Sequence, residues 1–187
     1  PYDVTYKVNA PMEEGRSLGA NTIHSIDGMI VREITRRCDY DPAIIDRVRT
    51  ALEQPLPQTR LGLNRRHADH MVITLRDHAT VSGYLSARIL DYLDDQNIGL
   101  VRDDKILELL DSLPAKPFKV VSIHDCFRVL PHYGNDLRRQ YVKQLELISK
   151  SDLLGYLISQ IVGRPVSIGK LDPMLHKDIA ETNYSLS

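Results

Sequence analysis

Cysteine is scarce in this chain. Cys38 and Cys126 are the only two, and they form no CxxC pair. That excludes a disulfide-stapled miniature and favours reduced thiols in a cytosolic compartment. No charge of one sign dominates. The 24 basic and 25 acidic side chains leave a formal charge of -1, so any polyanion site must be local rather than a property of the whole surface. No apolar run reaches the roughly 18 residues that a membrane span needs. The first residues, PYDVTYKVNA, have neither a basic n-region nor an apolar h-region, so they do not read as a signal peptide. They also lack an initiator methionine, which is expected either of a trimmed terminus or of a piece of a longer polypeptide. What is present is ordinary: 187 residues, 42% hydrophobic and 26% charged. Such a mix excludes a disordered tail or a fibre and allows one core, or one core carrying a large insertion.

Periodicity divides the chain into short elements. YDVTYKV (2–8) is rich in β-formers and reads as a strand, and MEEGRSLGAN (12–21) as a loop. Ile23, Ile26, Ile30 and Ile34 make one buried stripe of a helix, beside a more polar face with His24, Asp27 and Val31. Asp41-Pro42 predicts a second helix start, carried by Ile44, Ile45, Val48 and Leu52 and stopped by Pro55 and Pro57. Thr59 to Arg76 is basic, and its secondary structure is ambiguous from the sequence. Val81, Leu85, Ile89 and Leu93 predict a helix ending near Asn97-Ile98-Gly99. Asp103 is placed to cap another, with Ile106, Leu107, Leu110 and Leu113 on its apolar face and Pro114 after it. FKVVSI (118–123) and CFRVLP (126–131) predict two strands of a hairpin. Asn135 or Asp136 would cap a helix bearing Leu137, Tyr141, Leu145 and Ile148. Leu153, Leu154, Leu157, Ile158 and Ile161 predict one more, ended by Gly163 and Pro165. The tail from Gly169 shows weak periodicity.

One residue stands out chemically. Asp125 falls where a buried apolar strand turns polar, at the tip of the predicted hairpin. A carboxylate held by two strands is rigid, and Mg²⁺ needs rigid oxygen donors in near-octahedral geometry. The competing reading is a turn aspartate bonded to its own backbone.

The block VVSIHDCFRVLP (120–131) resembles motif C of the phage-type and mitochondrial single-subunit RNA polymerases. In that family an apolar strand leads into a His-Asp-Ser-Phe turn, and a second strand ends in Pro. HSIDG (24–28) resembles the His-Ser-Gln-Asp-Gly helix that precedes motif C, with Ile26 in place of Gln. NDLRRQYVKQLELISKSDLLGYLISQI (135–161) is similar to the helices after it, and DIAETNYSLS (178–187) resembles the family's C-terminal foot. The four blocks occur in the family's order, and the resemblance covers residues 1–38 and 118–187. Family A DNA polymerases share a His-Asp motif C, and NAPM (9–12) echoes one of their motifs. Their motif C continues with Glu where this chain has Cys126.

The resemblance implies an α/β fold, mostly helical around a small antiparallel palm sheet, with residues 1–187 forming the C-terminal part of the palm and residues 169–187 the foot. It implies DNA-directed RNA synthesis, with two Mg²⁺ ions shared between Asp125 and an aspartate absent from this chain. His124 would orient the turn and approach the primer end. His24, Ser25, Asp27, Gly28 and Arg32 would face the transcript end or the template hybrid. Tyr184, Leu186 and Ser187 would pack beneath the active site. The implied partners are a DNA template, an RNA transcript, nucleoside triphosphates and a polypeptide carrying the other catalytic Asp and the fingers Lys and Tyr. No membrane is implied. The implied location is the cytoplasm, that of an infected host cell or a virion-carried form if the chain is phage-encoded. The alternatives are a palm segment of a family A DNA polymerase, or a non-catalytic nucleic-acid-binding or assembly module derived from a palm.

The chain departs from the family in length. Asp27 and Asp125 are 98 positions apart (125 minus 27), where the family has one helix and a short loop. Residues 39–116 therefore read as a helical insertion. Within it Arg60, Arg65, Arg66, His67, His70 and Arg76 cluster. Arg60, Arg65 and Arg66 are candidate phosphate contacts; the other reading is a solvated face balanced by Asp69 and Asp77. His67, His70 and His78 with Asp69 match no strong zinc spacing. Arg32, Arg36 and Arg37 would face nucleic acid or cap their helix C-terminus. Cys126 reads as a half-buried hairpin thiol, and Lys143 and Lys150 as surface charges.

Overall fold

The computed structural model describes residues 16–54, 66–101, 104–123 and 126–182. The described residues are mostly helical, with one two-stranded antiparallel sheet among them. The predicted strand at 2–8 lies outside the described residues.

The first helix, α1 (Arg16–Cys38), starts earlier than expected and takes in part of the predicted loop. Gly19 does not break it, because no turn or close approach depends on that position. The hydroxyls of Thr22, Ser25 and Thr35 donate back to the carbonyls of Leu18, Thr22 and Val31, so these polar side chains are satisfied within the helix. The isoleucine stripe is buried progressively: Ile23 is 54% exposed, whereas Ile34 is fully buried. Cys38 continues the stripe one turn further.

Helix α2 (Pro42–Glu53) begins as its sequence predicts. Asp41 Oδ1 accepts from the Ala43 N–H at 2.9 Å, and Pro42 occupies the first turn, where its missing N–H costs nothing. Helix α3 (His67–Ser82) resolves one ambiguous stretch and corrects one expectation. Residues 67–76 of the basic stretch are helical, and the helix predicted through Val81 to Leu93 is broken. Gly83 takes a left-handed φ of 72°, and its N–H closes the helix on the Ala79 carbonyl. Val81 is left exposed, while Ile89 and Leu93 reach the core through a short 3₁₀ turn (Ala87–Asp91) instead. A second 3₁₀ turn (Ile98–Leu100) leads toward α4 (Asp104–Asp111). There Ile106, Leu109 and Leu110 are buried, and Leu107, expected inside, is exposed. Asp103 lies outside the described residues.

Strands β1 (Val121–Ile123) and β2 (Cys126–Arg128) form the predicted hairpin in shorter form. Strand β2 ends at Arg128, three residues before the Pro131 expected to close it, and Pro131 opens a 3₁₀ turn (Pro131–Tyr133) that feeds directly into α5 (Gly134–Lys150). Asn135 and Asp136 therefore sit inside the helix rather than capping it; Asp136 still faces the favourable end of its dipole. Helix α6 (Leu153–Val162) ends at Gly163, at a φ of 68°, as its sequence predicts. The weakly periodic tail contains one more helix, α7 (Leu175–Glu181).

Two apolar clusters result. The first is drawn entirely from residues 44–113, with Val48, Val72, Ile89, Leu93, Ile98 and Ile106 at its centre. The second joins Ile30, Ile34, Cys38 and Phe118 to the hairpin and to Leu137, Tyr141, Leu145 and Ile148 of α5. Each fully buried Ile or Leu contributes about 2 kcal/mol.

Between the clusters runs a buried polar seam. Arg37 is 1% exposed. Its Nε donates to Gln140 Oε1 at 2.8 Å and its Nη2 to Ser112 Oγ and O at 2.7 and 3.2 Å. Glu33, also 1% exposed, accepts from Ser86 Oγ at 2.7 Å and from the Ala87 N–H. Tyr84 Oη donates to Gln144 Oε1 at 2.6 Å. Burial pulls the Arg37 guanidinium below its ordinary pKa, with Glu33 opposing, and pushes the Tyr84 phenol up, with Glu33 adding to the rise. At the two chain crossings, the Phe118 N–H donates to the Cys38 carbonyl at 2.7 Å and Tyr40 Oη to the Pro114 carbonyl at 2.7 Å.

Candidate functional site

The hairpin owes its position to alternation. Across the register, Val121 faces Arg128, Ser122 faces Phe127 and Ile123 faces Cys126. Side chains alternate in direction along each strand, so Val120, Phe127 and Val129 share the side that packs on α1 and α5. Phe127 meets the Tyr141 ring edge-on at 5.8 Å, and Phe118 stacks on Tyr133 at 4.5 Å. The other side, with Val121, Ile123 and Cys126, is exposed. Cys126 is thus an exposed thiol rather than the half-buried one expected, because its place in the register turns it away from α5. His124 and Asp125, the two residues joining Ile123 to Cys126, lie outside the described residues.

The HSIDG block occupies α1. His24 and Asp27 are 78% and 60% exposed, and His24 Nδ1 lies 3.9 Å from Asp27 Oδ2. Ser25 and Arg32 are exposed as well. A Cβ added at Gly28 would meet nothing within 4 Å, so packing inside this chain does not require the glycine. Ile26, in the middle of the block, packs in the same cluster as Phe127 and Val129. That cluster ties the helix to the hairpin and leaves the polar residues of the block facing outward.

Arg37 departs from both roles expected of it, whereas Arg36 stands partly exposed in the last turn of α1, where the helix-end reading put it. Arg37 is buried in the seam, and Arg36 lies 3.6 Å from Glu33. The signal was spacing: Glu33 and Arg37 are one turn apart on α1, and so are Gln140 and Gln144 on α5. Paired polar positions beside an apolar stripe mark a second buried face. Cys38 is inert by burial, which pushes its thiol up to about 12.

Within residues 39–116, Arg60 and Arg65 lie outside the described residues. Arg66 is held by two carboxylates, Asp94 at 2.9 Å and Asp69 at 2.9 Å. Those hydrogen bonds raise its pKa. Burial works to raise the Asp69 and Asp94 carboxyls, but the Arg66 hydrogen bonds prevail and hold both below the usual range. Arg76 is engaged with Asp77 at 2.7 Å and with the Leu100 carbonyl. His67 meets the Tyr92 ring and His78 the Tyr156 ring. Among the described residues no group of three His, Cys, Asp or Glu could hold a metal ion, and no helix is long and apolar enough to cross a membrane. Lys143, expected as a plain surface charge, lies 3.0 Å from Glu146. Tyr184, Leu186 and Ser187 of the foot lie outside the described residues.

The Arg66 pairing makes stability depend on pH. The folded-state pKa values of Asp69 and Asp94 are depressed, so their contribution is complete above the ordinary carboxylate range and is lost as pH falls through the folded values. Arg66→Met should cost about 1 kcal/mol near neutrality, a modest figure because the guanidinium is 42% exposed. That cost should vanish in urea melts at the acid end of the carboxylate range. A cost independent of pH would mean that the pairing contributes nothing.

No protein-family model matches the chain, and no curated protein matches it in sequence.

Proposed function

We propose that the chain is the C-terminal catalytic-palm segment, or a separate palm subunit, of a phage-type DNA-directed RNA polymerase. The observation that carries this reading is the hairpin. The motif-C-like block supports it: two antiparallel strands pair Ile123 with Cys126, and in the sequence His124 and Asp125 are the two residues between them. Among the described residues the hairpin has one side anchored on α1 and α5 and the other exposed, and a two-stranded sheet is a form that further strands complete. The exposed His24, Ser25, Asp27 and Arg32 give α1 a polar face available to a nucleic acid. In this reading two Mg²⁺ ions are shared between Asp125 and a carboxylate on another polypeptide segment. His124 steadies the turn, and the cytoplasm of an infected cell is the place of action.

The reading requires that the chain be inactive alone. Purified chain, given a DNA template, nucleoside triphosphates and Mg²⁺, should make no RNA. Adding the polypeptide that carries the other palm aspartate and the fingers Lys and Tyr should give metal-dependent synthesis. RNA made by the chain alone would overturn the split arrangement. Synthesis only with deoxynucleotides would move the assignment to a family A DNA polymerase. Template binding without synthesis in the complete mixture would leave a non-catalytic palm-derived module.

A further inference from the structure

The end of α3, one side of α6 and the chain that returns after α6 enclose a cavity of about 540 Å³. That size suits a small ligand. Backbone hydrogen bonds fix its two ends. The Asp152 N–H donates to the Ser82 carbonyl at 2.7 Å, which sets the start of α6 beside Val81. Past the other end of α6, Gly163 turns left-handed and the Val166 N–H returns to Ser159 Oγ at 2.8 Å. The Tyr156 ring, packed 5.5 Å from the His78 ring of α3, lines the space between. Val81, Tyr156 and Val166 give the cavity its apolar walls, and Val81 is 67% exposed there.

Two charges of opposite sign line this cavity, Asp152 before the start of α6 and Arg164 past its end. Both are exposed, and among the described residues neither has an ion-pair partner. The Asp152 carboxylate lies over Gly155, where a Cβ would come within 2.6 Å of its Oδ1, so the glycine is what gives it room. It makes no capping bond to α6, and its oxygens remain available to a cation. Gln160, exposed on the same cavity, adds an amide that both donates and accepts. We propose that the cavity binds a short peptide with both ends free, its amine at Asp152 and its carboxylate at Arg164. Length selects the class. Helix α6 has ten residues and is about 15 Å long. The two charges of a single amino acid stand only about 3 Å apart, whereas an extended chain adds ~3.3–3.6 Å per residue. Three or four residues therefore span the gap once the Asp152 and Arg164 side chains reach inward. Gln160 suits a peptide bond, and the apolar walls suit the ligand's side chains. A ligand with one charge would leave the other end of the cavity unanswered. Peptide binding here is independent of the polymerase reading.

Isothermal titration of the full chain with the tetrapeptide Ala-Leu-Leu-Ala, both ends free, should reveal one site with a Kd of ~1 mM or tighter. Acetylating the peptide's amine, or amidating its carboxylate, should each weaken binding about fivefold, the scale of a well-placed exposed ion pair. Asp152→Asn should remove the amine effect alone, so that free and acetylated peptides bind the variant equally. Arg164→Gln should likewise remove only the carboxylate effect. Both side chains are exposed, so both variants should keep the parent's melting temperature. No binding up to about 10 mM peptide would overturn the proposal. So would binding indifferent to blocked ends, which would give the cavity to an internal segment of a larger chain, or end effects that persist in both variants.

Discussion

Asp125→Asn, introduced into the complete assembly that the proposed polymerase function requires, is expected to reduce nucleotide addition at least ~1000-fold while leaving template affinity within about twofold. Asparagine has the same shape and still accepts a hydrogen bond at its oxygen, but it lacks the negative charge and one of the two acceptor oxygens a divalent cation needs. A turn aspartate that only bonds its own backbone would tolerate the change, because asparagine forms the same turn. The substitution therefore separates the two readings of Asp125 with little effect on the hairpin, whose anchorage rests on Val120, Phe127 and Val129. Single-turnover extension of a primed template and a binding isotherm at fixed salt are the two measurements. Synthesis within tenfold of the unaltered enzyme would remove Asp125 from the metal site and with it the main support for the polymerase reading.

Local chemistry was legible in the sequence wherever a few adjacent residues decide the outcome. Asp41-Pro42 starts a helix and Gly163 ends one, because the capping oxygen, the missing N–H and the left-handed turn all act within four residues. The hairpin was legible as far as its inner residues, since an apolar run broken by His124-Asp125 leaves few alternatives. Reading failed where two signals compete at one glycine. Val81, Leu85, Ile89 and Leu93 keep a helical rhythm through Gly83, yet Gly83 turns left-handed and the rhythm is realised in a 3₁₀ turn instead. It failed again for charges. Arg37 looked like a helix-end cation because its Gln140 acceptor is 103 positions away, and Arg66 like a phosphate contact although Asp94 holds it from 28 positions away. The candidate site divides in the same way. The exposure of His24 and Asp27 follows from their place opposite the isoleucine stripe. The partner that would complete a metal site has no trace in local sequence, since no carboxylate accompanies the hairpin within its own block.

Arg37→Met is expected to destabilise the fold by about 3–5 kcal/mol, a large share of the ~5–15 kcal/mol that holds a typical domain together. Methionine fills a similar volume but cannot donate, so Gln140 Oε1 and the Ser112 oxygens lose their Arg37 bonds inside the seam. Among the described residues, Glu33 meanwhile keeps Arg36 as its ion-pair partner, at 3.6 Å. Arg37→Lys should recover little, because an ammonium cannot reproduce the fork that reaches Gln140 and Ser112 together. The double variant Glu33→Gln with Arg37→Met should lose less than the two single losses combined, since it buries no unpaired charge. Urea unfolding read by far-UV circular dichroism gives all four values. The pattern matters beyond stability because α1 makes both sets of contacts: Glu33 and Arg37 hold Ser86 and Ser112, while Ile26 anchors the exposed His24 and Asp27 to the hairpin cluster. A loss under about 1 kcal/mol for Arg37→Met would mean the two apolar clusters are held together by something other than this seam.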